Sequence, residues 1–142
     1  MGRIFVANYS WRVVLFYKSR IVKPHTVKNV IFYKTEQGKN PAKEWLYDLR
    51  DTQGQRRILR RLLKVQVGHY GDFKTLSGQS GIKELRFDFG GGYRLYFGED
   101  GKNLVVLLVG GNKSTQQRDI EEAGIYWKDY LSRKGEQHHD KL

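Results

Sequence analysis

The chain has 142 residues, enough for one domain with a hydrophobic core but not for two. It contains 26 Lys and Arg against 15 Asp and Glu, a formal net charge of +11, and this surplus favours a nucleic acid or another acidic partner. Because there is no cysteine, disulfides and thiolate metal sites are excluded, and no apolar run approaches the ~18 residues of a membrane span.

The first 29 residues differ in charge from the rest of the chain. They hold six basic side chains and no acidic one, and charged residues bracket their longest apolar run, Val13–Tyr17. A cleavable signal peptide needs a longer apolar stretch, so residues 1–29 are interpreted as a basic extension outside the core, either a strand-like arm or a tail. A start codon upstream of the natural one would also account for this segment.

The first predicted elements are a strand and a helix. Val30–Thr35 is rich in the β-branched and aromatic residues that favour strands. Asn40 followed by Pro41 is typical of a helix start, since Asn caps and proline suits the first helical position. The helix that follows has one apolar face, formed by Ala42, Trp45, Leu46 and Leu49. We expect Thr52–Gly54 to break it.

A second helix is predicted from about Gln55 to Val67, with Gly68 as its left-handed cap. One arc carries apolar side chains, and the opposite arc carries five cations without acids between them: Arg56, Arg57, Arg60, Arg61 and Lys64. A solvated outer face explains this pattern. Contact with RNA or with an acidic protein would relieve the repulsion between the cations and explains it as well.

A β-hairpin is predicted around the triple glycine Gly90–Gly92, where positive φ angles allow a tight turn. In Lys83–Phe89 the side chains alternate between apolar and charged, and in the returning strand Arg94 and Tyr96 fall opposite the apolar face. Arg86 and Arg94 are therefore expected on the same non-core face of adjacent strands. Such fixed cations form a platform for a polyanion, although Arg86 could instead pair with a neighbouring acid.

The last predicted elements are a strand and a helix. Glu99–Gly101 is expected to be a turn, and the apolar run Asn103–Val109 is typical of a central strand. Ser114 with Gln117 fits a capping box before a C-terminal helix. The element order is thus β-α-α-β-β-β-α. Residues 135–142 are expected to be a polar tail, in which His138 and His139 have no partners that would make them metal ligands.

Five segments in order resemble the phage-derived killer-protein branch of the RelE/HigB-like toxins, the toxin halves of type II toxin–antitoxin modules. They are NPAKEWLYDLRD, RRILRRLLK, GHYGDFKTL, IKELRFDFGGGYRLYF and LLVGGNKSTQQRDI. The resemblance covers about residues 30–134, the expected toxin domain. It implies an α+β fold, a small antiparallel sheet with two helices from the N-terminal half on one face and a C-terminal helix, which agrees with the predicted element order.

The resemblance also implies an activity. Such toxins act in the cytoplasm as ribosome-dependent mRNA endoribonucleases (mRNA interferases), which contact 16S rRNA and inhibit translation, and a helix-turn-helix antitoxin neutralises them. The RNA 2′-hydroxyl attacks the neighbouring phosphate, so no metal, cofactor or protein nucleophile is expected. The protein must supply proton transfer and positive charge for the transition state.

Catalytic residues follow from the matching motifs. The resemblance implies Arg94 as the clamp on the scissile phosphate, because a guanidinium binds phosphate in two-pronged geometry. Arg86 is expected to stabilise charge or position the substrate, and Lys113 and Lys74 are further candidates, although Lys74 could be ordinary surface. The expected RNA contacts are Lys83, Tyr96 as a stacking platform, and Arg57, Arg60, Arg61 and Lys64 of the second helix.

The sequence departs from better-studied relatives at two points. No Tyr or His follows closely after Lys113 to serve as acid or base, and Asn112 stands where many members of the branch have Asp. Two other functions share the fold or the charge: a gyrase-poisoning toxin, and a non-catalytic module that binds RNA or a protein partner. The cations Arg86, Arg94 and Lys113 favour the nuclease.

Overall fold

The computed structural model describes residues 27–79, 81–134 and 140–141. The predicted extension lies outside them as far as residue 26, as do His138 and His139. The strands are β1 (Asn29–Phe32), β2 (Phe73–Thr75), β3 (Ile82–Arg86), β4 (Arg94–Asp100), β5 (Leu104–Gly111) and β6 (Asp140–Lys141). The helices are α1 (Pro41–Tyr47), α2 (Thr52–Gln66) and α3 (Gln116–Arg133), and a 3₁₀ turn at Lys113–Thr115 precedes α3.

The fold is α+β, as predicted. The six strands form one sheet in the order β2-β3-β4-β5-β1-β6, in which only β1 and β5 pair in parallel. The predicted central strand, β5, lies between β4 and β1. The prediction of an antiparallel sheet therefore holds for every pair but one.

Helices cover both faces of the sheet. Helices α1 and α2 pack on one face, where Leu46, Ile58 and Leu62 meet Leu95 and the other apolar side chains of a first core. Helix α3 packs on the opposite face and buries Trp127 and Ala123 in a second core. The strands β1, β3, β4 and β5 therefore contribute to both cores, because their side chains alternate between the two faces. The predicted non-core face that carries Arg94 and Tyr96 is therefore partly a core, because α3 packs on it.

The predicted break between the first two helices is wrong. Thr52–Gly54 forms the first turn of α2, because the Asp51 side chain accepts a hydrogen bond from the Gly54 amide at 2.9 Å and so caps the helix. Gly54 is fully enclosed between the Asp51 carboxylate and the Tyr93 ring, which leaves no room for a Cβ atom. The left-handed glycine after α2, Gly68, is confirmed with φ of 87°.

The β3–β4 hairpin turns through the triple glycine, as predicted. Gly90, Gly91 and Gly92 have φ angles of 61°, 69° and 79°. Three consecutive residues in this region are tolerable only without Cβ atoms. The turn directs β4 back along β3, and the pair brings Arg86 opposite Arg94.

Two strands were not predicted. β2 is three exposed residues that pair with β3 at one edge of the sheet. β6 lies in the segment expected to be a polar tail, and it pairs with Ile31 and Phe32 of β1. The end of β4 also differs, because Glu99 and Asp100 belong to the strand and the turn begins at Gly101.

The predicted capping box at Ser114 is displaced by two residues. Asn112 is the cap, since its side chain accepts a hydrogen bond from the Ser114 amide at 2.9 Å, while Thr115 Oγ1 accepts one from the Asn112 amide. Asn112 therefore has a local structural role at the junction of β5 and α3. Within the described part of the chain, no helix is long and apolar enough to cross a membrane.

Candidate functional site

Arg86 and Arg94 are direct cross-strand partners at the hairpin end of β3 and β4, and Gly111 of β5 completes their row. Two residues away from Arg86 along β3, Glu84 lies opposite Lys74 of β2 on one side and opposite Tyr96 of β4 on the other. Because partners in an antiparallel ladder share a face, these side chains all point toward the α3 side of the sheet. The predicted common face of Arg86 and Arg94 is confirmed.

Arg94 is mostly buried, and its guanidinium is bound by neighbouring groups of the protein. Its side chain is 15% exposed, and its Nε lies 4.0 Å from Glu84 Oε1. Its Nη1 donates to the carbonyl oxygens of Phe87, Gly92 and Tyr93 at distances of 3.4, 3.1 and 3.2 Å. No hydrogen bond is made by Nη2 within the described residues. Arg94 thus fastens the hairpin turn with one nitrogen and has another nitrogen available.

Arg86 is the more accessible of the two arginines. Its side chain is 37% exposed, and its Nε and Nη2 donate to Asp72 Oδ1 at 3.1 and 2.8 Å. The hydrogen bond to Asp72 and the charge of that carboxylate raise the pKa of Arg86, which therefore stays charged. An ion pair this open to solvent is weak, so a phosphate can compete for the guanidinium.

Lys113 approaches Arg94 across Gly92. The Lys113 amide donates to the Gly91 carbonyl at 3.3 Å, which ties the end of β5 to the hairpin turn. A Cβ atom on Gly92 would lie 3.3 Å from Arg94 Nη1 and 3.4 Å from Lys113 Cβ. Lys113 is exposed, and no acidic partner is found for it within the described residues. The missing side chain at residue 92 therefore leaves a gap between two cationic residues.

Lys74 stands at the outer edge of this surface. It is exposed, and it pairs through the β2–β3 ladder with Glu84 rather than with either arginine. Since diagonal neighbours in a sheet lie about 7–8 Å apart, the long side chain of Lys74 is within reach of Arg86. We call Lys74, Arg86, Arg94 and Lys113 the cationic cluster.

Two carboxylates lie buried beside the cationic cluster. Glu84 and Asp119 are each 2% exposed. Gln116 Nε2 donates to Glu84 Oε2 at 3.3 Å, and Thr115 Oγ1 donates to Asp119 Oδ2 at 2.5 Å. Gly111 lies directly under Asp119, where any side chain would collide with the carboxylate.

The prediction that Tyr96 stacks on a base is wrong. Tyr96 is 0% exposed, because α3 covers the face on which it lies, and its hydroxyl has no hydrogen-bond partner within the described residues. Burial raises the pKa of Tyr96, and the charges of Glu84 and Asp119 raise it further. The hydroxyl therefore remains a buried proton donor.

Lys83 lies apart from the cationic cluster. It is on the opposite face of β3, where its ammonium group contacts Glu99. Tyr70 donates to Glu99 Oε2 at 2.5 Å, and Lys28 lies 3.4 Å from the same oxygen. Lys83 is therefore part of a half-buried ion cluster around Glu99, and its RNA contact stays a prediction.

The basic face of α2 forms a second cationic surface on the other side of the sheet. A groove of about 250 Å³ runs between α2 and the hairpin, lined by Arg57, Arg60, Arg61, Lys64, Phe87, Asp88 and Phe89. The Arg57 guanidinium lies 3.7 Å from the centre of the Phe89 ring. Arg57, Arg60 and Lys64 are exposed and free to meet a partner.

Arg61 differs from the other cations of α2. Its guanidinium lies 4.6 Å from the centre of the Phe87 ring and donates to the carbonyl oxygens of Tyr70, Asp72 and Arg86. It therefore joins α2 to β3 and to the chain leading into β2. Its RNA contact stays a prediction beside this structural role.

Several residues of the site carried no recognisable signal in the sequence. Glu84 alternates with apolar neighbours as a solvent-facing residue would, and Gln116 and Asp119 are separated from it by over 30 positions. Only the triple glycine pointed to Gly92. The described residues contain no group of three or more His, Cys, Asp or Glu side chains arranged to hold a metal ion.

Comparison with known proteins finds two similarities. The family described as phage derived protein Gp49-like (DUF891) matches residues 44–125, which include α2, the hairpin and the cationic cluster. An uncharacterized protein of Haemophilus influenzae (strain ATCC 51907 / DSM 11121 / KW20 / Rd) is 43% identical over 81 residues, 57% of this chain and 80% of that protein.

Proposed function

The chain belongs to the phage-derived Gp49-like family, toxins of toxin–antitoxin modules within the RelE/HigB-like superfamily, and we propose that it is an endoribonuclease that cleaves mRNA on the ribosome. Family membership implies an antitoxin partner. We further propose that this antitoxin is a helix-turn-helix protein and that the toxin acts in the cytoplasm, where its substrate is translated.

The observation that carries this proposal is the cross-strand pairing of Arg86 with Arg94 in the cationic cluster. Arg86 is the more accessible arginine, and its side chain is bound among the described residues only by the exposed Asp72, so a phosphate can take the place of that carboxylate. Arg94 lies beside it with Nη2 available. Two guanidinium groups on one rigid sheet can hold a scissile phosphate in a fixed orientation.

The chemistry requires positive charge where the transition state becomes more negative. In the attack of a 2′-hydroxyl on its neighbouring phosphate, O2′ gives up its proton as the O2′–P bond forms, O5′ takes up a proton as the P–O5′ bond breaks, and negative charge grows on the phosphoryl oxygens. Lys113 and Lys74 are exposed cations on either side of the arginines and can neutralise this charge. The nucleophile belongs to the RNA, so the protein supplies position, positive charge and proton transfer.

We propose that Arg57, Arg60 and Lys64 contact the phosphate backbone of 16S rRNA. They lie on the opposite face of the sheet from the cationic cluster, so one RNA strand need not fill both surfaces. Backbone contacts by exposed cations position a protein without reading sequence. The α2 surface would then hold the toxin on the ribosome while the cationic cluster acts on mRNA.

The experiment is cleavage of a defined mRNA by the purified chain in a reconstituted translation system. We expect cuts only in the mRNA of translating ribosomes, with a 2′,3′-cyclic phosphate upstream and a free 5′-hydroxyl downstream. A single 2′-deoxy substitution at the cut nucleotide should abolish cleavage there, because it removes the nucleophile. Equal cleavage of free RNA, cleavage of the 2′-deoxy substrate, or trapped gyrase–DNA complexes without RNA cleavage would each refute the proposal.

A further inference from the structure

Glu84 on β3 is an almost completely buried carboxylate beside Arg94 of the cationic cluster. It is 2% exposed, between β4 and the start of α3. A buried carboxylate is costly unless donors surround it. One donor is Gln116 Nε2, at 3.3 Å from Oε2, and the nearest positive charge is Arg94, whose Nε is 4.0 Å from Oε1.

Two buried donors beside Glu84 have no acceptor. Arg94 Nε and the Tyr96 hydroxyl are each buried without a hydrogen-bond partner within the described residues. Tyr96 is the direct cross-strand partner of Glu84, and Arg94 lies two residues before Tyr96 on the same face of β4. Both orphaned donors therefore lie close to Glu84, and the charge of Asp119 also acts on the Tyr96 hydroxyl. Buried donors are nearly always paired, so this arrangement indicates a polar network centred on Glu84.

We propose that Glu84 is a positioning residue for Arg94, held in place by Gln116 and Tyr96. The guanidinium of Arg94 is fixed on two sides, since its Nε edge faces Glu84 and its Nη1 is bound to the carbonyls of the hairpin turn. This leaves Nη2 as the nitrogen that faces substrate. Glu84 is too deeply buried to touch RNA, and it acts only through the arginine.

The consequence for cleavage depends on the proposed function. A guanidinium held on two sides meets the phosphate without reorganising, and loss of this preorganisation lowers the rate of the chemical step more than the binding of substrate. A purely structural role would instead lower stability and leave the orientation of Arg94 unchanged. A direct observation of Arg94 therefore separates the two roles.

The test uses ¹⁵N-labelled full-length protein and the Nε–H resonance of Arg94, assigned by its loss in Arg94→Lys. In Glu84→Gln we expect this resonance to shift and its hydrogen exchange to accelerate about tenfold or more, because the charged partner is gone. Asp72→Asn is the matched control, since it removes the partner of Arg86. That variant should move the Arg86 resonance and leave the Arg94 resonance in place.

An unchanged Arg94 resonance in folded Glu84→Gln overturns the proposal, whatever the activity. Should Glu84→Gln fail to fold, Tyr96→Phe carries the test, because it removes only the hydroxyl. A displaced Arg94 resonance there supports the network, and an unmoved one overturns it.

Cleavage assays provide the second measurement. In the ribosomal assay Glu84→Gln should lower kcat about tenfold or more with KM changed less than about twofold. Glu121→Gln on α3 serves as the control and should leave both constants unchanged. If wild-type protein does not cleave, the proposed function fails, while the resonance still decides the position of Arg94. A rise in KM with unaltered kcat would overturn the positioning role.

Discussion

Arg86 and Arg94 face each other directly across β3 and β4, yet the two guanidinium groups lie in opposite environments. Arg86 pairs with an exposed carboxylate on the β2 side, whereas Arg94 turns inward to three backbone carbonyls and a buried Glu84. Arg86 can therefore exchange Asp72 for another anion, whereas Arg94 is bound to the backbone of the hairpin. Substitutions at the two positions should differ in their effects for this reason.

Alanine at either arginine should abolish cleavage, but only one substitution should weaken the fold. Arg94→Ala leaves carbonyls in the hairpin unpaired and removes the charge nearest to Glu84, so we expect a loss of about 1–3 kcal/mol in the free energy of unfolding. Arg86→Ala should leave the unfolding free energy unchanged, since its ion pair is exposed. Urea unfolding together with the ribosomal cleavage assay measures both effects. Equal stability of the two variants would contradict the environment assigned to Arg94.

Gly92 and Gly91 offer a matched pair for testing the gap between Arg94 and Lys113. Both have positive φ, so alanine at either position should cost about 1–2 kcal/mol of stability. Only at Gly92 would the new methyl group press against Arg94 Nη1 and Lys113 Cβ, while at Gly91 nothing lies within 4 Å. We therefore expect Gly92→Ala to lose much more cleavage activity than Gly91→Ala at similar stability. Activities that fall equally would show that the gap does not matter.

Reversing charges on α2 should weaken ribosome binding in a salt-dependent manner. If Arg57 and Arg60 contact phosphates, the double substitution Arg57→Glu and Arg60→Glu should flatten the dependence of ribosome binding on salt. The slope of the logarithm of the association constant against the logarithm of the salt concentration should fall in magnitude by about 1 per contact. The control is Lys39→Glu with Lys128→Glu, two exposed lysines outside both cationic surfaces, which changes the net charge equally. Binding measured between low and moderate salt gives both slopes. Identical slopes in the two double variants would remove α2 from the interface.

The Glu99 cluster should make stability sensitive to acid. Burial acts to raise the pKa of Glu99, but hydrogen bonds from Lys83 and Tyr70 and the lysine charges lower it overall from 4.5. Since the folded state then binds the proton less readily than the unfolded state, the contribution of Glu99 is complete above about pH 4.5 and is lost as the pH falls through the lowered pKa.

Glu99→Gln measures this contribution. At pH 7 we expect it to cost about 1–3 kcal/mol, because a carboxylate with several donors is replaced. At pH 3 the difference from wild type should shrink, since below pH 4.5 the unfolded chain takes up a proton at Glu99 more readily than the folded protein does. Glu36→Gln, at an exposed turn, should differ from wild type at neither pH. A difference that grows as the pH falls would contradict the direction of the pKa shift.

The sequence predicted the faces of the strands but not what covers them. Alternation correctly assigned Leu95 to the core side and Arg94 and Tyr96 to the other side. Whether that other side is open depends on α3, which docks from a distant part of the chain. The burial of Tyr96 and Glu84 is thus a tertiary effect that no local pattern contains.

The predicted starts of α2 and of the turn before α3 differ from the structure for a local reason. Thr52–Gly54 has the composition of a turn, but the Asp51 cap converts it into the first turn of α2. A similar shift occurred at α3, where Asn112 rather than Ser114 caps the turn. Capping residues compete at neighbouring positions, and their choice depends on where the preceding strand ends.

Helix α3 has a consequence for how this toxin is made. Its 18 residues close the second core and also supply the Gln116 amide beside Glu84. While α3 is still being synthesised, Tyr96 and Glu84 would be exposed to water. Glu84 would lack its hydrogen bond from Gln116 and would hold Arg94 less firmly. We therefore expect the proposed activity to appear only after α3 has docked, and truncated or stalled chains that lack α3 to be inactive.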